Sequence, residues 1–113
     1  MLRRTPLGRT AQRDPVTPET RDAVLRRDGV CVLALYEPEH ICRNRWGREH
    51  APTDVSELTV EHVKDFLAMG QRAPSDPEHL VALDFAANFR PPTKAQRAIF
   101  RAHLSKFYPA SVA

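Results

Sequence analysis

The sequence predicts an α+β domain built on an antiparallel β-hairpin, with one helix before it and one after. Three observations carry this. A Thr-Pro start at Thr17-Pro18 opens a helical stretch that stops at Gly29, where a residue free to take positive φ is expected. Two short β-like runs, Leu58–His62 and His79–Leu83, flank a turn-rich loop. Thr93-Lys94-Ala95-Gln96 then fits a capping box ahead of an amphipathic run. The length, 113 residues, suits a single domain with its own core.

Residues 1–15 read as a flexible basic arm, since Arg3, Arg4, Arg9 and Arg13 stand there with no acid before Asp14. A solvated terminus without a partner is the alternative. Residues 16–108 form the predicted domain, and 109–113 a tail. In the first helix, Pro18 to Asp28, Thr17 caps the free amides and Ala23, Val24 and Leu25 face the core. Arg21, Arg26 and Arg27 are expected on a solvated face. Val30–Tyr36, VCVLALY, is compact and apolar and predicts a strand or a buried extended segment.

A long loop follows to Asp54, punctuated by Pro38, Gly47 and Pro52. Within it, Arg43-Asn44-Arg45-Trp46-Gly47-Arg48 could grip phosphates while the indole stacks on a base, but a core anchor is the reading preferred for a lone Trp. In the first strand Thr59 alternates with Leu58 and Val60, as a half-buried hairpin strand should. The loop from Phe66 to Glu78 holds Gly70, Pro74, Ser75, Asp76 and Pro77, dense turn chemistry. Asp84–Phe89 is helix-compatible until Pro91-Pro92 interrupts it. The last helix is expected over 94–107, packing Phe100, Leu104 and Phe107 and presenting Lys94, Arg97 and Arg101 on another face.

Composition excludes some classes. Seventeen Lys+Arg against fourteen Asp+Glu give a net charge of +3, a mild bias compatible with a polyanion partner. No apolar run reaches the ~20 residues of a membrane span, and the N-terminus lacks a signal peptide's apolar centre. Two cysteines do not make a secreted disulfide framework. A soluble, cytoplasmic protein is expected.

The chemistry-bearing residues cluster in the central stretch. His62 follows Glu61 at the end of the first strand, His79 opens the second, and Asn88 stands just beyond it. A His beside a carboxylate, answered by a helix-borne amide, is a plausible way to set one divalent cation beside one general base. A structural histidine hydrogen-bonded at a strand end is the plainer reading of His62 alone. The Glu61-His62, His79 and Asn88 pattern, with eight residues between the last two, resembles the HNH endonucleases.

That resemblance covers about half the chain and implies a ββα-metal core. It implies metal-dependent hydrolysis of DNA phosphodiesters, with His62 as general base, His79 in the loop-fixing position, and Glu61 and Asn88 as ligands of one divalent ion, with Mg, Mn, Ni and Zn undistinguished. DNA would meet Arg43, Arg45, Arg72, Arg90, Lys94, Arg97 and Arg101. Short phage and bacterial members imply a bacterial or infected host cell and make a terminase-type partner conceivable. A nucleic-acid-binding module that has lost turnover is the alternative; an interaction protein is a more distant third.

Many members of the family carry two Cys pairs around a structural zinc. Here Ala34 stands where Cys31 would have its partner, and Asp84 and Ala87 match the second pair, so the usual zinc site is expected to be missing. Cys31, Cys42, His40 and His50 form the minority alternative for a zinc site. A buried Cys31 and a loop Cys42 without metal is the preferred account.

Overall fold

The computed structural model of the protein describes residues 16–63 and 75–109. Helix α1, Pro18–Asp28, begins where Thr17 accepts a hydrogen bond from the Thr20 amide at 3.1 Å. It ends at Gly29, whose φ of 65° lets its own N–H reach the Leu25 carbonyl at 2.8 Å. Val24 and Leu25 are buried, and Ala23 only half so.

Of the three arginines expected in solvent, Arg21 and Arg26 are exposed, whereas Arg27 is taken into the fold. Arg21 donates to the Leu58 carbonyl at 3.0 Å, and Arg27 to the carbonyls of Pro77 and Leu80 at 2.6 and 2.7 Å. The reason is α1's position across the hairpin, whose strand ends leave carbonyls that a guanidinium can satisfy.

The segment expected as a strand at 30–36 is instead a one-turn helix, α2, Val32–Tyr36. Leu, Ala and Leu are good helix formers. A helical turn also sets Val32, Leu33 and Tyr36 toward the core and leaves Leu35 52% exposed, a division that strand alternation could not make.

Strands β1, Leu58–His62, and β2, Leu80–Asp84, pair antiparallel in the expected place, with Leu58 opposite Asp84 and His62 opposite Leu80. The Val63 amide extends the ladder to the His79 carbonyl at 2.9 Å. His79 itself sits in a 3₁₀ turn, Pro77–His79, one residue before the strand it was expected to open. All five β2 residues are buried, which explains the unbroken apolar run of Leu80–Leu83.

Helix α3, Phe85–Asn88, is capped by Asp84, and α4, Lys94–Ser105, by the Thr93–Gln96 box. Leu33, Leu58, Leu80, Leu83, Phe100 and Leu104 fill the core. Phe107 lies past the end of α4, 46% exposed, with the Arg27 guanidinium 5.5 Å from its ring, rather than on the packed stripe. The result is a small α+β domain with a two-stranded antiparallel sheet. Among the described residues no helix is long and apolar enough to cross a membrane. The basic arm, the 64–74 part of the hairpin loop and residues 110–113 lie outside the described residues, as does Arg72.

One buried polar knot ties the elements together. Asp28, its side chain fully enclosed, pairs with Arg27 at 2.8 Å and His103 at 2.9 Å and accepts the Ala82 amide at 2.9 Å. His103 in turn meets the Tyr36 hydroxyl at 3.1 Å, so α1, α2, β2 and α4 converge on one carboxylate. Burial pushes the Asp28 carboxyl up, but hydrogen bonds from His103, Arg27 and Ala82 outweigh it and hold it below the ordinary range.

Candidate functional site

Four potential ligands meet between α2, the following loop and the end of β2. Cys31 is the N-cap of α2, His40 and Cys42 lie one residue apart in the loop, and Asp84 closes β2. One ligand atom from each lies within 4.8 Å of all the others. The His40 Nε2 is 2.8 Å from Asp84 Oδ1, and the Cys31 Sγ is 3.4 Å from the same oxygen and 3.8 Å from His40 Nε2. A tetrahedral ion at ~2.3 Å from sulfur and ~2.0 Å from nitrogen or oxygen would set edges of roughly 3.3–3.8 Å, so small adjustments admit one.

The local sequence explains the convergence. The Cys31 amide donates to the Pro52 carbonyl at 3.0 Å, and the Cys42 carbonyl accepts the His50 amide at 3.1 Å, fixing both ends of the loop. Asp84 divides its work by oxygen. Its Oδ2 accepts the amides of Arg43 at 3.0 Å and Ala87 at 3.3 Å, while Oδ1 faces Cys31 and His40. Cys31, Cys42 and Asp84 are buried, and the His40 side chain is 8% exposed.

Without a cation these groups are mismatched in protonation. Burial, followed by the neighbouring Cys31, pushes the Cys42 thiol far up, and burial raises Cys31 as well. Burial also acts to raise Asp84, but the Arg43 amide and His40 outweigh it and hold the carboxyl low. A divalent ion would supply the charge that two buried thiolates lack. The cluster can therefore hold a metal ion.

This ligand set differs from the one weighed from sequence. Asp84 takes the fourth place, and His50 is not in it. The His50 Nδ1 meets the Ala51 carbonyl at 2.8 Å, and its Nε2 is buried without a hydrogen-bond partner among the described residues. The expectation that the usual zinc site is missing rested on Ala34, Asp84 and Ala87 standing where cysteines would be, yet the carboxylate of Asp84 is itself a possible zinc ligand. The usable signal was its position, at the strand end facing Cys31.

No family model, curated protein or solved structure matches this chain.

The central stretch forms a second arrangement. Asn88 Nδ2 donates to Thr59 Oγ1 at 2.8 Å and to the Val60 carbonyl at 3.1 Å, docking α3 on β1. A carbonyl can only accept, so the amide is oriented with Oδ1 as the oxygen these bonds leave over. Thr59 and Glu61 lie two apart on β1 and share a face, so Asn88 stands on the Glu61 side of the strand. Glu61 is 7% exposed, and one carboxylate oxygen accepts the His62 amide at 2.9 Å.

His62, at the strand end, has Nε2 2.8 Å from Ser75 Oγ. His79 pairs through Nδ1 with Asp76, beside the hairpin base rather than with Asn88. Strand alternation sets the His62 and Glu61 side chains on opposite sides of β1.

The cationic candidates split into two groups. Lys94 and Arg101 are exposed on α4, with Arg97 half-buried between them. Arg43, Arg45 and Arg90 are exposed around Trp46. Trp46 is no core anchor, being 74% exposed. Its turn is built from polar loop residues that hold it away from the core.

Proposed function

We propose that the domain hydrolyses DNA phosphodiesters with a divalent cation, in the manner of the HNH nucleases that its central stretch resembles. The observation that supports this reading is Asn88 on Thr59 and Val60, which docks a helix-borne amide on the hairpin strand that carries Glu61 and His62. Glu61 and Asn88 offer oxygen ligands suited to a hard cation such as magnesium or manganese. Bound there, the ion would stabilise charge developing on the phosphate and the leaving oxygen.

His62 is the general base. Imidazole is the side chain suited to taking a proton near neutral pH, and the Ser75 hydroxyl at Nε2 orients the ring. The His79 carbonyl, through Val63, closes the base of the loop that follows. The Cys31, His40, Cys42 and Asp84 group serves separately as a structural zinc site, its thiolates favouring that ion over magnesium. A binding module without turnover is the second reading, favoured by the exposed arginines around Trp46.

Plasmid nicking with magnesium, manganese and nickel titrated tests the proposal. His62→Ala should lower turnover by ~100-fold or more while leaving DNA affinity intact. Glu61→Ala and Asn88→Ala should be partly restored by more metal, because each removes a ligand rather than the base. A wild type that shifts DNA but never nicks leaves the binding module; a His62→Ala variant that nicks at the wild-type rate removes the base.

A further inference from the structure

An open hollow of about 980 Å³ beside the metal cluster is bordered by Ile41, Arg43, Arg45, Trp46, Phe89 and Arg90. Trp46 is 74% exposed, Phe89 80% and Ile41 53%. These are three of the six large apolar side chains exposed among the described residues, and they share one surface. A gathered apolar patch of this kind marks an interaction site more often than single exposed side chains do.

The backbone turn that presents Trp46 is fixed by hydrogen bonds, and Phe89 rests on a neighbouring ring. Asn44 Oδ1 accepts the amides of Trp46 at 2.9 Å and Arg48 at 3.0 Å, and Gly47, at φ 80°, returns its N–H to the Asn44 carbonyl at 2.9 Å. Arg43 and Glu49 bridge the two sides of this turn. Phe89 stacks on Phe85 at 5.5 Å and 19°, which occupies one face of its ring. The Arg45 guanidinium lies 5.1 Å from the Trp46 ring.

Charge narrows the partner. Arg43, Arg45 and Arg90 border the hollow with Glu39 as its one acid, and Glu49 is engaged with Arg43 nearby. A fitting partner carries flat apolar faces and negative charge together. Unpaired DNA does, since its bases stack on aromatic rings while its phosphates meet guanidinium groups. A duplex hides the base faces, and a second copy of this chain would set arginine against arginine.

We propose that this face binds single-stranded DNA, with bases stacked on Trp46 and Phe89 and the backbone tracked by Arg43, Arg45 and Arg90. That the strand is DNA rests on the cleavage reading above. The stacking surface does not.

Trp46 is the only tryptophan, so its fluorescence reports the contact directly. The zinc-loaded full chain carrying His62→Ala, in buffer without magnesium, is titrated with a labelled oligothymidylate of about 12 nucleotides, a length within the usual site size of single-strand binders. Quenching of Trp46 is expected, with tighter binding than to a duplex of equal length. Trp46→Ala and Phe89→Ala should each weaken the affinity read from the oligonucleotide's anisotropy by roughly 5- to 150-fold. Trp46→Phe should retain most of it. Arg45→Ala and Arg90→Ala should each reduce the salt slope by about 0.7.

Equal affinity for duplex, an unquenched Trp46, or unchanged binding in both aromatic variants overturns the proposal. Tighter binding of the matching oligoribonucleotide overturns the choice of DNA. Quenching by an acidic peptide alone, or self-association lost in Trp46→Ala without oligonucleotide binding, assigns the face to another occupant. Plasmid nicking is scored separately. Cleavage without oligonucleotide binding removes this surface and leaves the cleavage reading; oligonucleotide binding without cleavage does the reverse.

Discussion

Asp28 illustrates how much one residue can decide. Its carboxylate is enclosed among Arg27, His103 and the Ala82 amide, and its pKa is held below the ordinary carboxylate range. A depressed folded-state pKa contributes stability that is present above the unfolded value and lost as pH falls through the folded one. Stability should therefore decline as pH drops below about 4, the ordinary Asp range. Asp28→Asn should be destabilised at neutral pH by about 3–5 kcal/mol, because it leaves Arg27 short of its counter-charge in the interior. Urea midpoints measured from pH 7 to pH 3 check this, and the variant's curve should be flatter across the acid limb.

The same residue shows why parts of the fold could not be read from the sequence. Arg27 looks like a member of a solvated face because charge is the signal that periodicity reads, whereas its partners are Asp28 and the carbonyls of residues 77 and 80. His103 sits inside the amphipathic stripe of α4, with nothing local to mark it as Asp28's partner. Asp84 was noticed only as a missing cysteine, although carboxylates also bind zinc.

Among the elements, those with strong local signals were the ones the sequence could specify. The first helix has Thr17, Pro18 and Gly29 as start and stop, the last has its capping box, and the hairpin has two apolar runs around a turn-rich loop. The 30–36 segment failed this test because a short apolar run fits a strand or a buried helical turn equally well. The candidate site divided similarly. Asn88 docks on β1 through Thr59 and Val60, a contact within the stretch singled out from sequence, while the fourth residue of the candidate metal cluster depended on a contact spanning the chain from Cys31 to Asp84.

Gly29 supplies the test at this scale. A Cβ there would meet no heavy atom within 4 Å, so Gly29→Ala introduces backbone strain at φ 65° without a clash. A loss of about 1–2 kcal/mol is expected in equilibrium unfolding, with the metal content unchanged.

At the scale of the whole molecule, the metal cluster joins the α2 region to the end of the hairpin, across a stretch that includes β1 and β2. If zinc occupies it, binding and folding are linked. Chelation should lower the thermal midpoint and reduce far-UV circular dichroism at 37 °C in proportion to metal lost, and zinc should restore both. Asp84→Cys should retain zinc, while Asp84→Ala should weaken it by more than the ~10–100-fold that loss of an outer-shell partner costs. Calorimetry with and without chelator, paired with metal analysis, checks this; an unchanged midpoint after complete metal removal would count against a structural role.

The spacing of the four ligands also bears on how the chain reaches its native state. Cys31, His40 and Cys42 are close in sequence, whereas Asp84 arrives only when β2 has paired with β1. The first three can capture an ion while the rest of the chain is still unfolded, closing a short loop at small entropic cost. If the cluster binds zinc, some of that affinity would survive in the denatured ensemble and soften the gain that saturation gives the folded form. With an ion resident, the order of contacts would run from an ion-bound loop first to the hairpin docking its carboxylate onto that loop last.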